Sequence, residues 1–281
     1  MMDLVTQQQR AEELRRLHHG PEVLVFANVW DVASARVFEE LGYPALATSS
    51  AGVAAVFGYP DGQRIQRQEM ADMVRRIAHA VSVPVSADME AGYGTDEESA
   101  AQTVLATIEA GAVGLNIEDG TKDKTNPLID FDLQVRRLKA VRRAAESANV
   151  PVVLNARTDA YWMGLGHEGE RFTETVRRGN AYLAAGADCI FVPGAQDPVT
   201  IEKLCREIAG PVNILGGPGV PAVSELKRLG VTRLSVGSGP ARAALAYARK
   251  AAEELKSTGT YSGLTDLTIS HTEVNRLLEK R

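Results

Sequence analysis

Two carboxylates stand two residues apart in the segment Val-Pro-Val-Ser-Ala-Asp-Met-Glu-Ala-Gly-Tyr-Gly at 83–94. The apolar run after a proline predicts a buried strand that ends in Asp88 and Glu90, ahead of a glycine-rich turn and a helix from Asp96. Residues two apart on a strand share a face. Two acids on one face suit a hard divalent cation such as Mg²⁺, which prefers oxygen ligands and keeps several waters. A solvated strand end with helix-capping acids is the alternative interpretation of this stretch alone.

The composition is that of a globular protein, and it argues against several classes of function. Of 281 residues, 44% are hydrophobic and 24% are charged, and the formal net charge is -5. Because the balance is acidic and no run of Lys or Arg occurs, nucleic acid is not expected as a partner. The first 22 residues contain no apolar signal-peptide core. No stretch approaches the roughly 18 apolar residues of a membrane span, so we expect a cytoplasmic protein.

The elements that position the acids repeat one unit: a short apolar strand, a polar loop and an amphipathic helix. Strands are predicted at 23–29, 45–49, 84–89, 113–117, 151–157, 188–192, 211–215 and 233–236. This pattern predicts an α/β fold, a (β/α)8 TIM barrel, in a single domain over 1–281. Residues 1–22 would contribute an N-terminal helix and 257–281 a C-terminal helical tail. A doubly wound open sheet is the alternative, although no Gly-x-Gly-x-x-Gly follows the first strand.

In such a barrel, chemistry gathers at the C-terminal ends of the strands. The first five strands end in acids, hydroxyls, amides and an arginine, whereas the last three end mostly in Gly and Pro. The polar ends are Asn28 and Asp31, Thr48-Ser49-Ser50, Asp88 and Glu90, Asn116 with Glu118-Asp119, and Asn155 with Arg157-Thr158-Asp159. Crowded carboxylates raise one another's pKa, and a bound cation would relieve that repulsion. The predicted site therefore lies toward the first half of the barrel and suits a metal.

Two long loops follow these strand ends. The first, 50–66, contains the turn Tyr-Pro-Asp-Gly at 59–62, which would present Asp61 toward the site. The second, 119–130, is polar and is typical of a mobile lid, although a plain solvated loop has the same composition. Glycine-rich segments at 216–219 and 237–239 suit either a phosphate site or ordinary turns.

The histidines and cysteines offer little chemistry. Only His167, in the loop after the fifth strand, could reach the site, and a surface position is its alternative. The other four are expected to be solvated: His18, His19, His79 and His271. Cys189 and Cys205 lie in a predicted apolar strand and a helix, so we expect reduced core thiols rather than a disulfide or a metal pair.

Taken together, the motifs resemble the isocitrate lyase/phosphoenolpyruvate mutase superfamily from about residue 22 to 250. The most specific match is Ala-Asp-Met-Glu-Ala-Gly-Tyr-Gly at 87–94, which is similar to that family's metal-binding Asp-x-Asp/Glu and Gly-Tyr-Gly. Further matches, in the same order along the chain, are Ser49-Ser50, Asp61 in its Pro-Asp-Gly turn, Glu118-Asp119 and Ala-Arg-Thr-Asp at 156–159. The resemblance implies a modified barrel whose last helix is exchanged within a homodimer or homotetramer, with the residues after 256 packed on the exchanged element.

The resemblance also implies roles for individual residues. Mg²⁺, or Mn²⁺ in its place, would be held by Asp88, with Glu90 and Glu118 acting partly through waters and Asp61 nearby. The carboxylate of a 2-oxo acid would be bound by Ser49, the amides of Ser50 and Ala51, and Arg157. Breaking a bond next to a ketone leaves an enolate, whose negative charge a divalent cation stabilises. The planar guanidinium of Arg157 matches a carboxylate, although a structural ion pair with a neighbouring acid is its alternative.

The lid separates the branches of this family. Isocitrate and methylisocitrate lyases carry a catalytic cysteine there, whereas residues 119–130 contain neither Cys nor His, so those activities would lack their general acid. Lys124-Thr125-Asn126 instead resembles the Lys-x-Asn of phosphoenolpyruvate mutase and phosphonopyruvate hydrolase, in which Lys and Asn close over the reacting group. The histidine that those phosphonate enzymes use after strand six is replaced by Val-Pro-Gly at 192–194.

The sequence therefore predicts a Mg²⁺-dependent carbon–carbon lyase that cleaves or decarboxylates a small, oxaloacetate-like 2-oxo acid. Lys124 and Asn126 would complete the pocket beneath a closing lid. A P–C bond enzyme acting on phosphonopyruvate, as hydrolase or mutase, is a second hypothesis. A non-catalytic 2-oxo-acid-binding protein is a third, because the lid cysteine is missing.

Overall fold

Eight parallel strands close into a barrel in chain order. The computed structural model describes residues 3–121, 123, 125–266 and 268–279. The strands are β1 Leu24–Val29, β2 Leu46–Thr48, β3 Val85–Asp88, β4 Gly114–Glu118, β5 Val153–Arg157, β6 Cys189–Val192, β7 Val212–Leu215 and β8 Arg233–Ser235. The register Leu24↔Arg233 joins β1 to β8 and closes the sheet. The predicted (β/α)8 barrel is confirmed, and the open-sheet alternative is wrong.

Helices surround the barrel and connect its strands. They are α1 Leu4–His18, α2 Val32–Glu40, α3 Ser50–Val56, α4 Arg67–Ala80, α5 Glu97–Glu109, α6 Phe131–Ser147, α7 Glu168–Ala184, α8 Pro198–Glu207, α9 Val223–Arg228, α10 Gly239–Thr258 and α11 His271–Glu279. Several begin at an Asp that caps the first turn, as Asp96 does by accepting from the Ser99 amide at 2.6 Å. Gly111, at φ 88°, then turns the chain from α5 into β4.

The segment predicted as the long loop 50–66 is partly helical, because α3 occupies Ser50–Val56. Ser49 caps this helix: its hydroxyl accepts from the Gly52 amide at 3.2 Å. The run Ser-Ala-Gly-Val-Ala-Ala-Val combines alanines with few polar residues, so it can form a short helix once the cap is in place. The cap residue is also one of the predicted substrate-binding residues, so the helix fixes its position at the end of β2.

Helix α1 closes the N-terminal end of the barrel, and here one prediction was wrong. His18 is 2% exposed rather than solvated. Its Nδ1 lies 2.8 Å from the Leu14 carbonyl, and its Nε2 lies 3.3 Å from Nη1 of Arg233 on β8. Leu14 fits against Gly114, where a Cβ atom would come within 2.8 Å of the leucine side chain. The floor of the barrel is therefore built from α1 as well as from the strands.

Helices α10 and α11 bury few of their side chains. Only Ala241 and Ala251 of α10 are buried, and Leu245 and Leu255 are exposed. Helix α11 packs against α2 of the same chain, where Arg276 forms an ion pair with Glu40. Exchange of the last helix between subunits stays a prediction. Within the described residues, no helix has the length and apolar character needed to cross a membrane.

Candidate active site

A pocket of about 110 Å³ opens at the C-terminal ends of the strands. It brings together seven of the predicted site residues: Ser49, Ser50, Ala51, Asp61, Asp88, Glu118 and Arg157. Asp61 lies on its exposed rim, as the Pro-Asp-Gly turn predicts. The remaining lining residues come from all parts of the barrel: Asn28, Asn116, Trp162, Phe191, Leu215, Ser235, Gly237 and Ser238.

Asp88 is held at the end of β3 by its neighbours on β2 and α3. Its Oδ2 accepts from the Ser50 hydroxyl at 2.7 Å and from the Ser50 amide at 3.0 Å. Its own amide donates to the Thr48 hydroxyl at 2.9 Å. The Ser50 amide, expected to bind substrate, therefore orients Asp88. Oδ1 of Asp88 is buried and has no hydrogen-bond partner among the described residues, so it can accept a ligand.

Arg157, at the end of β5, forms ion pairs with two acids. Its Nη1 lies 2.7 Å from Glu118, and its Nε lies 2.6 Å from Asp159. Nη2 contacts the same Asp159 carboxylate at 3.2 Å, so that pair is bidentate. Burial alone would lower the pKa of Arg157, but the ionised Glu118 and Asp159 more than offset it, and the pKa is raised. The structural ion pair that was the alternative role for Arg157 is therefore present. Arg157 also lines the pocket.

Asp119 anchors the base of the loop after β4, and it lies behind the pocket. It accepts from the Tyr182 hydroxyl at 2.7 Å, from Arg178 at 3.3 Å and from the Asp159 amide at 2.8 Å. Burial raises the pKa of Asp119, and the charge of Arg178 opposes that rise. A side chain at Gly120 would displace Asp159, because a Cβ atom would come within 2.3 Å of Asp159 Oδ2. Asp119 thus positions Asp159, which in turn positions Arg157.

The Gly-Tyr-Gly turn directs Glu90 differently from the expectation. The strand ends at Asp88, and Glu90 has φ 49°, so the two acids do not alternate along one strand. The Glu90 carboxylate accepts from the Gln63 amide at 2.5 Å. Gly92, at φ 88°, lets the turn close around Arg137 of α6, whose buried guanidinium donates to the carbonyls of Ala91 and Gly94. Arg137 therefore holds this turn, a role that sequence reasoning missed.

The lid carries the two remaining predicted residues. Asn126 is exposed, its backbone carbonyl accepts from the Thr121 hydroxyl, and it does not line the pocket. Lys124 lies outside the described residues. Within the lid segment 119–130, Gly120 and Leu128 form an antiparallel β-bridge. This bridge is the base of a narrow hairpin next to Asp119.

Three apolar pocket-lining residues were not predicted from the sequence, and His167 does not reach the pocket. Trp162 and Phe191 flank Arg157, with its guanidinium carbon 5.9 and 5.7 Å from their ring centres. Strand alternation could have indicated Phe191 and Leu215, because Phe191 is the next-to-last residue of β6 and Leu215 is the last residue of β7. Trp162, in a loop, carried no such signal. His167 is on the surface, where its Nδ1 accepts from the Glu170 amide at 3.3 Å and caps α7.

The donor set fits a hydrated divalent cation. The lining offers carboxylate and amide oxygens, from Asp88, Glu118 and Asn116, and Oδ1 of Asp88 is available. In the described part of the chain, no group of three or more His, Cys, Asp or Glu side chains is close enough to enclose a metal. One direct carboxylate and several waters is the coordination that Mg²⁺ commonly adopts.

A family model, several relatives and solved structures match this chain in sequence or fold. The family model for phosphoenolpyruvate phosphomutase matches residues 14–256. A Mycobacterium tuberculosis protein of uncharacterised function is 37% identical over 84% of this chain and 86% of its own length. An oxaloacetate decarboxylase of Bradyrhizobium diazoefficiens is 30% identical over 74% of this chain and 72% of its own. The crystal structure of 2,3-dimethylmalate lyase superposes with a TM-score of 0.83 at 29% identity, covering 96% of this chain and 94% of that one. The chain belongs to the phosphoenolpyruvate phosphomutase family, within the isocitrate lyase/phosphoenolpyruvate mutase superfamily.

Proposed function

We propose that this protein is a Mg²⁺-dependent lyase that decarboxylates or cleaves a small 2-oxo acid of the oxaloacetate type. Mn²⁺ would serve in place of Mg²⁺. The observation that carries the proposal is the pocket itself, in which a half-buried carboxylate with an available oxygen, Asp88, and a fixed guanidinium, Arg157, occur together. The similarity to an oxaloacetate decarboxylase supports the choice of substrate class.

The charge of the pocket favours a cation as the first ligand. Its described lining carries three carboxylates, Asp61, Asp88 and Glu118, and one guanidinium, Arg157. Asp88 would hold the metal directly, and Glu118 and Glu90 would act through waters, with Asp61 at the rim. When bound, the metal supplies the positive charge that stabilises an enolate as the bond next to the ketone breaks.

Arg157 would bind a carboxylate of the substrate. Its contacts to Glu118 and Asp159 use three of the five N–H groups of a guanidinium, so Nη1 and Nη2 each keep one more. Because both acids hold the side chain in place, little reorganisation is needed when the substrate arrives. The Ser49 hydroxyl and the Ala51 amide would complete this binding site on the opposite side of the pocket.

The apolar side of the pocket favours a carbon substrate over a phosphonate. Trp162, Phe191 and Leu215 line it, and none can donate a charged hydrogen bond to phosphonyl oxygens. A methylene or a small alkyl group would be desolvated against these side chains. After the C–C bond breaks, CO₂ or a carbonyl fragment leaves, the electron pair stays on the enolate of the 2-oxo acid, and protonation at carbon completes the reaction.

Closure of the lid would complete the catalytic site. We propose that Lys124 and Asn126 move over the substrate, exclude water and contact the reacting group. The fixed hairpin base at Gly120 and Leu128, anchored through Asp119, gives the loop a defined attachment. Thr121 and Asn126 already bond to each other within the loop.

The proposed assembly is a homodimer or homotetramer that exchanges α10. This helix buries only two alanines against its own chain and leaves Leu245 and Leu255 exposed, which supports packing against another subunit. The free thiols of Cys189 and Cys205 support the proposed cytoplasmic location.

A substrate panel tests the proposal. Pyruvate or 2-oxo-acid release would be measured from oxaloacetate, its 3-alkyl homologues, methylisocitrate and phosphonopyruvate, with Mg²⁺ and with EDTA. We expect metal-dependent turnover of a carbon–carbon substrate. Turnover of phosphonopyruvate alone would favour the P–C bond hypothesis. Binding of 2-oxo acids without turnover, seen as a raised melting temperature, would favour a binding protein.

A further inference from the structure

The barrel interior beneath the pocket is polar. Residues two apart on a strand share a face, so on each strand the residue two positions before the first pocket-lining residue points into the barrel one step lower. These residues, which we call the lower tier, are Phe26, Ala47, Ser86, Gly114, Asn155, Cys189, Asn213 and Arg233. Barrels of this type usually fill such positions with branched aliphatic side chains. Here the lower tier contains no Val, Ile or Leu.

Arg233 is the charged member of the lower tier. It is 0% exposed, and its guanidinium carbon lies 4.2 Å from the centre of the Phe26 ring. Nη1 lies 3.3 Å from Nε2 of His18, whose Nδ1 faces the Leu14 carbonyl. This arrangement fits a neutral His18 that accepts from Arg233. Burial, followed by the charge of Arg233, lowers the pKa of His18 to about 3, which keeps it neutral.

No described carboxylate lies within ion-pair distance of Arg233, and its Nε and Nη2 have no hydrogen-bond partner among the described residues. A buried charge without an ion-pair partner destabilises the fold. Burial lowers the pKa of Arg233 to about 10, so it stays charged at neutral pH. Two neighbours in the lower tier, Ser86 Oγ and Asn155 Oδ1, are also buried without partners. These groups form a polar interior rather than a set of ion pairs.

The lower tier is connected to the pocket by hydrogen bonds. Asn155 donates to the Asn116 side chain at 2.6 Å, and Asn213 bonds to Ser235 at 3.1 Å. Asn116 and Ser235 both line the pocket. Ser86 lies directly beneath Asp88, whose negative charge stabilises the ionised form of Arg233. The guanidinium of Arg233 itself contacts His18 and Phe26, and no described carboxylate neutralises its positive charge there.

We propose that Arg233 is a buried counter-charge for the pocket, a positioning residue that acts through the lower tier on Asp88 and on bound anions. The inference goes beyond the proposed function and rests on it only for the choice of ligands. A positive charge beneath the pocket strengthens the binding of an anionic substrate and weakens the binding of a lone metal cation. Charges about 10 Å apart at an effective dielectric constant of about 20 interact strongly enough to change affinity by roughly tenfold.

The test compares two ligands of opposite charge. Mn²⁺ binding would be measured by electron paramagnetic resonance, and oxalate binding by calorimetry with saturating Mg²⁺. In Arg233→Met or Arg233→Gln, we expect Mn²⁺ to bind at least threefold tighter and oxalate at least threefold weaker. Arg233→Lys should restore both affinities to within about threefold of the original. The control Arg206→Met, at an exposed position on α8, should change neither.

A merely structural role would give another pattern. If both neutral variants bound both ligands more weakly, or bound both unchanged, the proposal would be overturned. If Arg233→Lys folded and neither neutral variant did, the charge would serve the fold, which also overturns it.

A protein that binds neither Mn²⁺ nor oxalate would contradict the proposed function instead. The coupling would then be measured from melting temperatures, where Asp88→Asn should change stability differently in the Arg233→Gln background. Additive effects there would refute the inference.

Discussion

Removal of the Ser50 hydroxyl should impair the pocket without unfolding the barrel. The hydroxyl donates to Asp88 Oδ2 at 2.7 Å, and the Ser50 amide donates to the same oxygen at 3.0 Å. In Ser50→Ala, only the amide remains to orient the carboxylate. A hydrogen bond to a charged group contributes about 1.5 to 3 kcal/mol. Since about 1.4 kcal/mol corresponds to a factor of ten, kcat/KM should fall by roughly ten- to a hundredfold.

The assay for Ser50→Ala is metal-dependent pyruvate release from oxaloacetate, together with Mn²⁺ affinity. We expect weaker Mn²⁺ binding by about tenfold, as is typical when the group that orients a metal ligand is removed. Ser147→Ala is the matched control, because its hydroxyl bonds to the Arg143 carbonyl on the exposed face of α6. If kcat/KM and Mn²⁺ affinity of Ser50→Ala stayed within twofold of the original, Ser50 would not orient Asp88.

Three further predictions concern the lid, the anchor and the barrel floor. Lys124→Ala should lower kcat more than it raises KM, and an unchanged kcat would remove the lid from the mechanism. Tyr182→Phe removes the 2.7 Å hydrogen bond to Asp119 and should reduce the free energy of unfolding in urea by about 1.5 to 3 kcal/mol. Its Mn²⁺ affinity should stay within twofold of the original. An unchanged midpoint of urea unfolding would contradict the role of Asp119 as the anchor of the loop after β4. Burial lowers the pKa of His18 from 6.5 to about 3, so the unfolded chain binds more protons and stability falls as the pH drops below about 6.5. Between pH 7 and pH 5 this loss is about 2 kcal/mol, and it should be absent in His18→Gln; equal losses in both proteins would refute the buried, neutral histidine.

The alternation of strand and helix patterns along the sequence predicted most of the fold. The eight predicted strands agree with the observed ones to within two residues at each end, because each combines an apolar run with a Gly or Pro boundary. Helix α3 was missed since the residues from Ser50 onward were interpreted as a loop, although Ser49, the last residue of the predicted second strand, is a helix cap. His18 was misjudged because a histidine on a polar helix gives no sign that the helix closes a barrel.

The positions of pocket residues were predictable where a residue lies at the C-terminal end of a strand. Asp88, Glu118 and Arg157 were placed correctly in one pocket by that rule. Glu90 was expected on the same face as Asp88, but the left-handed turn redirects its backbone, and turn geometry is not evident from strand periodicity. The buried Arg137 and Arg233 were missed, because their roles depend on contacts with other elements that the local sequence does not show.

The most direct test of the central claim is the rate of pyruvate release from oxaloacetate by the original protein and by Asp88→Asn, each with Mg²⁺ and with EDTA. Free divalent metal also promotes decarboxylation in solution, so a protein-free sample with the same metal sets the baseline. Turnover well above that baseline that is lost with EDTA and in Asp88→Asn, with the circular dichroism spectrum unchanged, is the predicted result. Equal turnover by Asp88→Asn, or turnover that persists in EDTA, would contradict the assignment of Asp88 as the metal ligand of a lyase.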